Sequence, residues 1–306
     1  MGASVVVVGS LHYDIIVSSS RLPRIGETLP GESWRAKCGG KGGNQAVEAA
    51  RHGAATSMIA CVGDDDFGRR LLDNLVAAGV DRGHVRVVAA GSGLSVVVSE
   101  AAGDYAAVIV SGSNESLGEH DVAGAQALIG EASVVILQNE IPDATNLAAA
   151  RRARQAGALV ILNAAPARVL CDELAACLDI LVVNAIEAQM LGAAPVTDPT
   201  SAARAASHLS DLVPVVIVTA GGAGVAVQSV AYTGAVSPHA VQLVSTHGAG
   251  DAFIGALGAR LAAGEGLEHA VAYANAAAAL IVSTREEQRP GLTVEGVHRL
   301  LDRASA

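Results

Sequence analysis

The sequence predicts an α/β protein with a mostly parallel, layered sheet. Short runs of valine, isoleucine and leucine alternate with alanine-rich stretches of helical period along most of its 306 residues. Polar residues recur where those runs end, which is where open parallel sheets bind ligands. Composition points the same way. Hydrophobic residues make up 51% of the chain but aromatic residues only 2%, so alanine, valine, leucine and glycine must form the core. That suits helices packed closely on a sheet and opposes an aromatic base-stacking module.

Residues 5–8 read as a short buried strand ending at Gly9, and 15–18 as a second, more exposed one. Residues 27–34 are polar and turn-rich, 35–38 extended, and Gly39-Gly40-Lys41-Gly42-Gly43 then interrupts regular structure. A helix over 44–52, a strand over 56–61 and a helix over 67–78 follow. Residues 94–99 and 105–110, on either side of Ala101-Ala102-Gly103-Asp104, read as a hairpin. Standing off the main sheet, it would complete a small, discontinuous β-lid formed by about 12–18, 30–38 and 92–111 within a single 1–306 domain. The alternative is a β-meander fused to the sheet edge. Strands are then expected at 134–137, 159–162, 180–183 and Val215–Thr219, with helices at Asp143–Ala156, 186–191 and 200–209. Residues 225–229 and 240–244 resemble edge or antiparallel strands, and helices fall at 249–263, 267–283 and 293–303.

A net charge of −10 opposes a polyanion-binding surface, so neither nucleic acid nor membrane is an expected partner. The four cysteines, Cys38, Cys61, Cys171 and Cys177, show no C-x-x-C spacing and read as buried, reduced thiols of a cytoplasmic protein. No basic region with a cleavage site precedes residue 5, and no stretch reaches transmembrane length without a polar or glycine interruption. There is no G-x-S-x-G elbow. The first strand leads into Gly9-Ser10-Leu11-His12 rather than G-x-G-x-x-G, and the later glycine loop lacks the Walker A ending.

The run from Thr246 to Phe253 carries the most chemistry. Gly248, Ala249 and Gly250 can bring bare N–H groups to an anion at the start of a helix, and Asp251 can take a proton from an attacking hydroxyl. The plainer reading is an ordinary helix-start acid. Other polar residues fall at strand ends: Asp14, Lys41, Asn44, Asn139, Glu140, Asn163, Asn184, Glu187 and Thr219 before Gly221. Each has a structural alternative. Asp14 could form a turn, Lys41 could be solvated, Asn184 could cap the helix of Glu187, and Glu140 could start one. Asp64-Asp65-Asp66 reads as a turn capping the following helix, and the histidines have no zinc-site spacing.

Two longer motifs, Gly39-Gly40-Lys41-Gly42-Gly43-Asn44-Gln45-Ala46 and Gly248-Ala249-Gly250-Asp251-Ala252-Phe253, occur in order with Asn163-Ala164-Ala165-Pro166-Ala167-Arg168 and Asn184–Glu187 between them. With these the chain resembles the ribokinase family of carbohydrate kinases (the phosphofructokinase-B superfamily) over nearly its whole length. The resemblance implies a three-layer fold with a β-lid. It also implies an ATP-dependent transfer of the γ-phosphoryl group to the primary hydroxyl of a small sugar, ribose or a ribose-like pentose first. Asp14, Gly40, Lys41, Asn44 and Glu140 match sugar-contacting positions. Asp251 matches the catalytic base and Gly248, Ala249 and Gly250 the anion hole. Asn184, Thr219, Gly221 and Asn275 match nucleotide positions, and Glu187 matches a Mg²⁺ position acting through water. A homodimer formed through the lid is also implied.

This chain departs from the family pattern in several places. Asn184-Ala185-Ile186-Glu187 keeps only the asparagine and glutamate of the Mg²⁺ motif. His12-Tyr13 is bulky where the family has small residues and asparagine, and Trp34 adds an aromatic to the lid. A nucleoside kinase, with Tyr13 or Trp34 stacked on a base, or a hexose or keto-sugar kinase therefore stays open, as does a non-catalytic binding protein. Ser245 stands where the family has an aspartate that helps hold K⁺, and Glu286-Glu287 stand for Gly-Ala, so K⁺ activation is expected to be weak or absent. The glutamates are expected to be solvated or to replace the missing charge.

Overall fold

The computed structural model describes residues 3–100 and 105–304. Strands β1 (Ser4–Val8), β2 (His12–Ser19) and β3 (Ser33–Gly39) precede helix α1 (Lys41–Arg51). Then come β4 (Ala55–Gly63), α2 (Asp66–Ala77), β5 (Asp81–Val88), β6 (Gly93–Glu100) and β7 (Tyr105–Val110). Short helices α3 (Glu119–Gly124) and α4 (Gln126–Gly130) lead to β8 (Val134–Gln138), α5 (Asp143–Ala156), β9 (Leu159–Asn163), α6 (Asp172–Ala175) and β10 (Ile180–Asn184). Next are α7 (Ala185–Met190), α8 (Pro199–Leu209), β11 (Val215–Thr219), β12 (Val225–Ser229) and β13 (Gly234–Val236). Helices α9 (Ala249–Ala262), α10 (Leu267–Val282) and α11 (Val294–Ala304) follow.

Nine strands form the main sheet, in the order β13-β12-β11-β10-β9-β8-β1-β4-β5. It is parallel from β5 to β11, and β12 and β13 run antiparallel at one edge. Its central strands read as continuous apolar runs because both faces are covered. Alternation divides their side chains between two cores. Val6, Val8, Val135, Leu137, Leu181 and Val183 pack with alanines of α5 and α8. Val5, Val7, Val134, Ile136, Ile180 and Val182 pack with α1, α9 and α10 on the opposite face. Small residues set the helix spacing there. A Cβ on Gly255 of α9 would lie 2.5 Å from the Cβ of Glu48 on α1.

The second sheet has the order β3-β2-β6-β7 and contains the expected hairpin arms, paired antiparallel from Leu94↔Val110 to Ser99↔Tyr105. The hairpin's turn, Ala101 to Asp104, lies outside the described residues. β2 and β6 pair in parallel, so this sheet is separate from the main one rather than a meander on its edge.

Several local expectations are corrected. The glycine loop does not interrupt regular structure, since α1 begins at Lys41 and takes in Gly42 and Gly43. These glycines answer a lack of space: a Cβ on Gly42 would lie 2.6 Å from Ser10 N. Asp14 sits inside β2, not in a turn. Residues 240–244 are irregular, and the edge strand is Gly234–Val236 instead. Asp65 does cap α2, accepting from Gly68 N at 2.7 Å. All four cysteines are free, but only Cys61 and Cys177 are buried; Cys171 is exposed. Among the described residues no helix is long and apolar enough to cross a membrane.

Candidate active site

The carboxyl ends of β9, β10 and β11, the first turns of α1 and α9, and the lid strands β2, β6 and β7 enclose a cavity of about 320 Å³. Most of the sequence-predicted residues meet here. Asp14, Gly40, Lys41, Asn44 and Glu140 line one part, Asn184, Glu187 and Thr219 another, and Gly248, Gly250 and Asp251 lie among the same lining residues.

Asp251 is in the first turn of α9. Its Oδ2 accepts from Asn44 Nδ2 at 2.9 Å and its Oδ1 from Gln45 Nε2 at 3.0 Å. Two consecutive residues of α1 therefore hold both oxygens of a carboxylate on a packed neighbouring helix. Burial raises the Asp251 pKa above the ordinary range, against the opposing charge of Lys41 and these two hydrogen bonds. Gln45 was missed in the sequence: it is a fully buried amide in an apolar-looking helix, and only α9 packed against α1 reveals its partner.

Gly248 caps α9 with φ +81°, a left-handed conformation that favours glycine. The N–H groups of Gly248 and Gly250 have no hydrogen-bond partner among the described residues. The expectation for Ala249 is corrected. Its N–H donates to Thr246 O at 3.3 Å and it is not a lining residue, because the turn closing the helix start consumes that donor.

Glu140 does not start a helix. Its Oε2 accepts from Ser10 Oγ at 2.5 Å and from the Lys41 backbone N–H at 2.9 Å, so the carboxylate sits at the positive end of α1. Ser10 is the second residue that sequence reasoning missed. Gly40 precedes α1 with φ +85° and would bring a Cβ within 2.7 Å of His12 N. Asp14 is buried, and burial pushes its carboxyl up to about 6 despite the nearby Lys37 charge and a hydrogen bond from Ser95. His12 also lines the cavity, with Nδ1 3.6 Å from Glu140 Oε2. Burial holds its imidazole below the usual range.

At the other end Asn184 is the N-cap of α7. Its Oδ1 accepts from Ile186 N and Glu187 N, each at 2.9 Å, and Glu187 Oε2 accepts from Asn184 N at 2.9 Å. The capping role and a place on the cavity wall thus coexist. Burial raises the Glu187 pKa. Thr219 Oγ1 donates to Val183 O at 3.3 Å, across β11 and β10. Two expected nucleotide residues are not on this wall. Gly221 opens the turn after β11, and Asn275 donates from Nδ2 to Ser237 O at 2.9 Å, tying down the segment after β13. Tyr13 is also turned away, its ring stacked on Phe67 at 4.7 Å, and the Trp34 ring is exposed on the lid rather than part of the wall.

Residues 3–293 match the pfkB family carbohydrate kinase description. The ribokinase of Haemophilus influenzae is 33% identical over 290 residues, covering 94% of this chain and 95% of that protein. The ribokinase of Bacillus subtilis is 33% identical over 298 residues, with 97% and 99% covered. The structure of Arabidopsis thaliana ribokinase complexed with ribose and ATP superimposes with a TM-score of 0.88 at 30% identity, covering 98% of this chain and 99% of that one. A Ser/His nucleophile or a dinucleotide fingerprint is missing from the sequence, while a positioned carboxylate beside open N–H donors at a helix start is what alcohol phosphorylation requires. The chain belongs to the pfkB family of carbohydrate kinases and is an ATP-dependent sugar kinase.

Proposed function

We propose that the sugar is ribose and that the product is ribose phosphorylated on its primary hydroxyl. The observation that carries this reading is the double hold on Asp251 by Asn44 and Gln45, beside the Gly248 and Gly250 N–H groups, in a cavity whose other wall presents Asp14, Lys41 and Asn44. Asp14 and Glu140 accept hydrogen bonds from sugar hydroxyls, and Lys41 and Asn44 donate to them. The primary hydroxyl loses its proton to Asp251 as its oxygen bonds to the γ-phosphorus of ATP. The bond from that phosphorus to the bridging oxygen breaks, and ADP leaves. Gly248 and Gly250 donate to the equatorial oxygens of the transferring group, and the lid strands help keep water away from it.

Asn184 and Thr219 attend to the nucleotide phosphates from the cavity wall, and Gly221 borders the nucleotide from the turn after β11, outside that wall. Asn275 supports that end indirectly, through the segment it anchors. Glu187 fits a Mg²⁺ ion held mainly by phosphate oxygens and water. It lines the cavity, Asn184 N occupies only its Oε2, and no group of three metal-ligating side chains exists among the described residues. When bound, the ion neutralises phosphate charge. The exposed Val108 and Val110 of β7 and Trp34 of β3 support a homodimer through the lid. Free cysteines, one of them exposed, support a reducing cytoplasmic setting.

Steady-state turnover with ATP and Mg²⁺ on ribose, fructose, 2-keto-3-deoxygluconate, adenosine and pseudouridine tests the reading. Ribose is expected to have the highest kcat/KM. Turnover of nucleosides without turnover of ribose would refute it.

A further inference from the structure

Arg289 lies in the 3₁₀ turn Glu286–Gly291, far in sequence from the Gly248 loop. Its guanidinium joins two main-chain carbonyls. Nη1 donates to His247 O at 3.0 Å and Nε to Thr284 O at 3.2 Å. The same loop is fastened to the end of α10 a second time, since Val244 N and Ser245 N both donate to Val282 O, at 2.8 and 3.1 Å. Arg289 lines a smaller cavity behind the loop and is not on the wall of the main one, whereas Gly248 borders both.

Peptide geometry gives this arrangement a consequence. In a trans peptide the C=O and N–H bonds point in opposite directions. The His247 carbonyl and the Gly248 N–H belong to one peptide unit. Holding that carbonyl back on Arg289 therefore aims the Gly248 N–H away from the guanidinium, towards the side on which the main cavity lies. Gly248 is at φ +81° and has no side chain to fix its rotation, so the neighbouring peptide needs an external anchor. A guanidinium is charged at every working pH and its planar fork can serve two acceptors at once. An ideal Cβ on Gly248 would lie 3.6 Å from Arg289 Nη1, so the positive charge also sits close to this residue.

We infer that Arg289 is a positioning residue for phosphoryl transfer: by binding the His247 and Thr284 carbonyls it sets the Gly248 N–H towards the transferring group. The inference rests on the phosphoryl-transfer reading of the cavity.

The test compares wild type, Arg289→Ala and Arg289→Lys, using the best sugar with ATP and Mg²⁺. For Arg289→Ala, kcat is expected to fall roughly 10- to 100-fold, somewhat less than for outright loss of an oxyanion donor, with sugar KM nearly unchanged. Added guanidinium chloride at non-denaturing concentration should restore part of the kcat of Arg289→Ala and leave wild type unaffected. Arg289→Lys should fall between the two, because an ammonium keeps the charge but not the fork. Thermal unfolding of each variant separates this from a folding defect. The inference is overturned if Arg289→Ala keeps kcat within about twofold of wild type. It is also overturned if its loss follows the unfolded fraction and guanidinium restores nothing. Absence of turnover in the wild type itself would overturn the phosphoryl-transfer reading, and the inference with it.

Discussion

Lys37 Nζ on β3 lies 2.5 Å from Glu286 Oε1, and Arg35 of the same strand reaches Glu286 Oε2 at 3.1 Å. One carboxylate on the turn after α10 thus ties the small sheet to the main body. Burial pushes the Glu286 pKa up, but Lys37 and Arg35 outweigh this and hold it below the ordinary range, so its charge is paired within the chain. Glu286→Gln should loosen the lid and raise sugar KM about 3- to 10-fold with a smaller effect on kcat, the size expected for a partly exposed pair of bridges. High salt should reproduce part of that rise in wild type only. Equal salt responses of the two proteins would rule out a latch.

Replacing the proposed base, Asp251, should separate chemistry from binding. Asp251→Asn is expected to lower kcat by at least about 10²-fold while sugar KM and thermal stability change little. Gln45→Met, which removes one of the two donors to the carboxylate, should cost roughly 10-fold in kcat. Near-normal turnover of Asp251→Asn would remove this residue from its role.

The acidity of Asp14 sets a pH dependence. In the free protein its carboxyl titrates near 6 and must be ionised to accept sugar hydroxyls, so log kcat/KM for the sugar should fall as pH drops below about 6. Its folded pKa exceeds the unfolded value of 3.8. The group therefore favours the folded state fully only below pH 3.8, and this contribution is lost as pH rises through about 6, a difference of roughly 2–3 kcal/mol. Asp14→Asn should accordingly raise Tm at about pH 8 and lose that advantage near pH 4, while the bend in kcat/KM disappears. A bend that survives the substitution belongs to another group.

Glu187 is assigned to the metal rather than to the sugar. Glu187→Gln should shift the Mg²⁺ concentration giving half-maximal rate upward by about 3- to 10-fold, since one charge near the ion is lost. Sugar KM should stay within twofold or so of wild type. The opposite pattern, with sugar affinity collapsed and the Mg²⁺ profile intact, would show that Glu187 faces the wrong substrate.

Association through the lid is measurable by light scattering. A dimer at micromolar concentration is expected, and Val108→Asp, placing a charge on the face of β7 opposite the cavity-lining Ile109, should shift it to monomer. An active wild-type monomer would refute pairing through this sheet.

Much of this architecture was written in local patterns. Central strands such as 134–137 and 180–183 stood out because both their faces are buried, and the Asp65 cap follows from an acid placed before a helix. β5 did not stand out, because Asp81-Arg82-Gly83-His84 is an edge strand whose exposed half carries polar residues. The irregular course of 240–244 was equally hidden, since apolar residues there look like a strand whether or not one pairs with them.

The sequence by itself determined the fold class and the kinase family, because glycines, a helix-start acid and strand-end polar groups are set by short-range geometry that leaves a local signature. Only the tertiary structure decided how those groups are held. Gln45 on Asp251, Ser10 on Glu140, Lys37 on Glu286 and Arg289 on His247 are partnerships between residues distant in the chain. No spacing rule encodes such pairs, because they exist only once packing has brought α1 against α9, the end of β1 beside the end of β8, and the turn after α10 against the lid and the Gly248 loop. The same packing turned Tyr13 onto Phe67 and the Ala249 N–H onto Thr246, removing from the site two groups that local pattern had placed there.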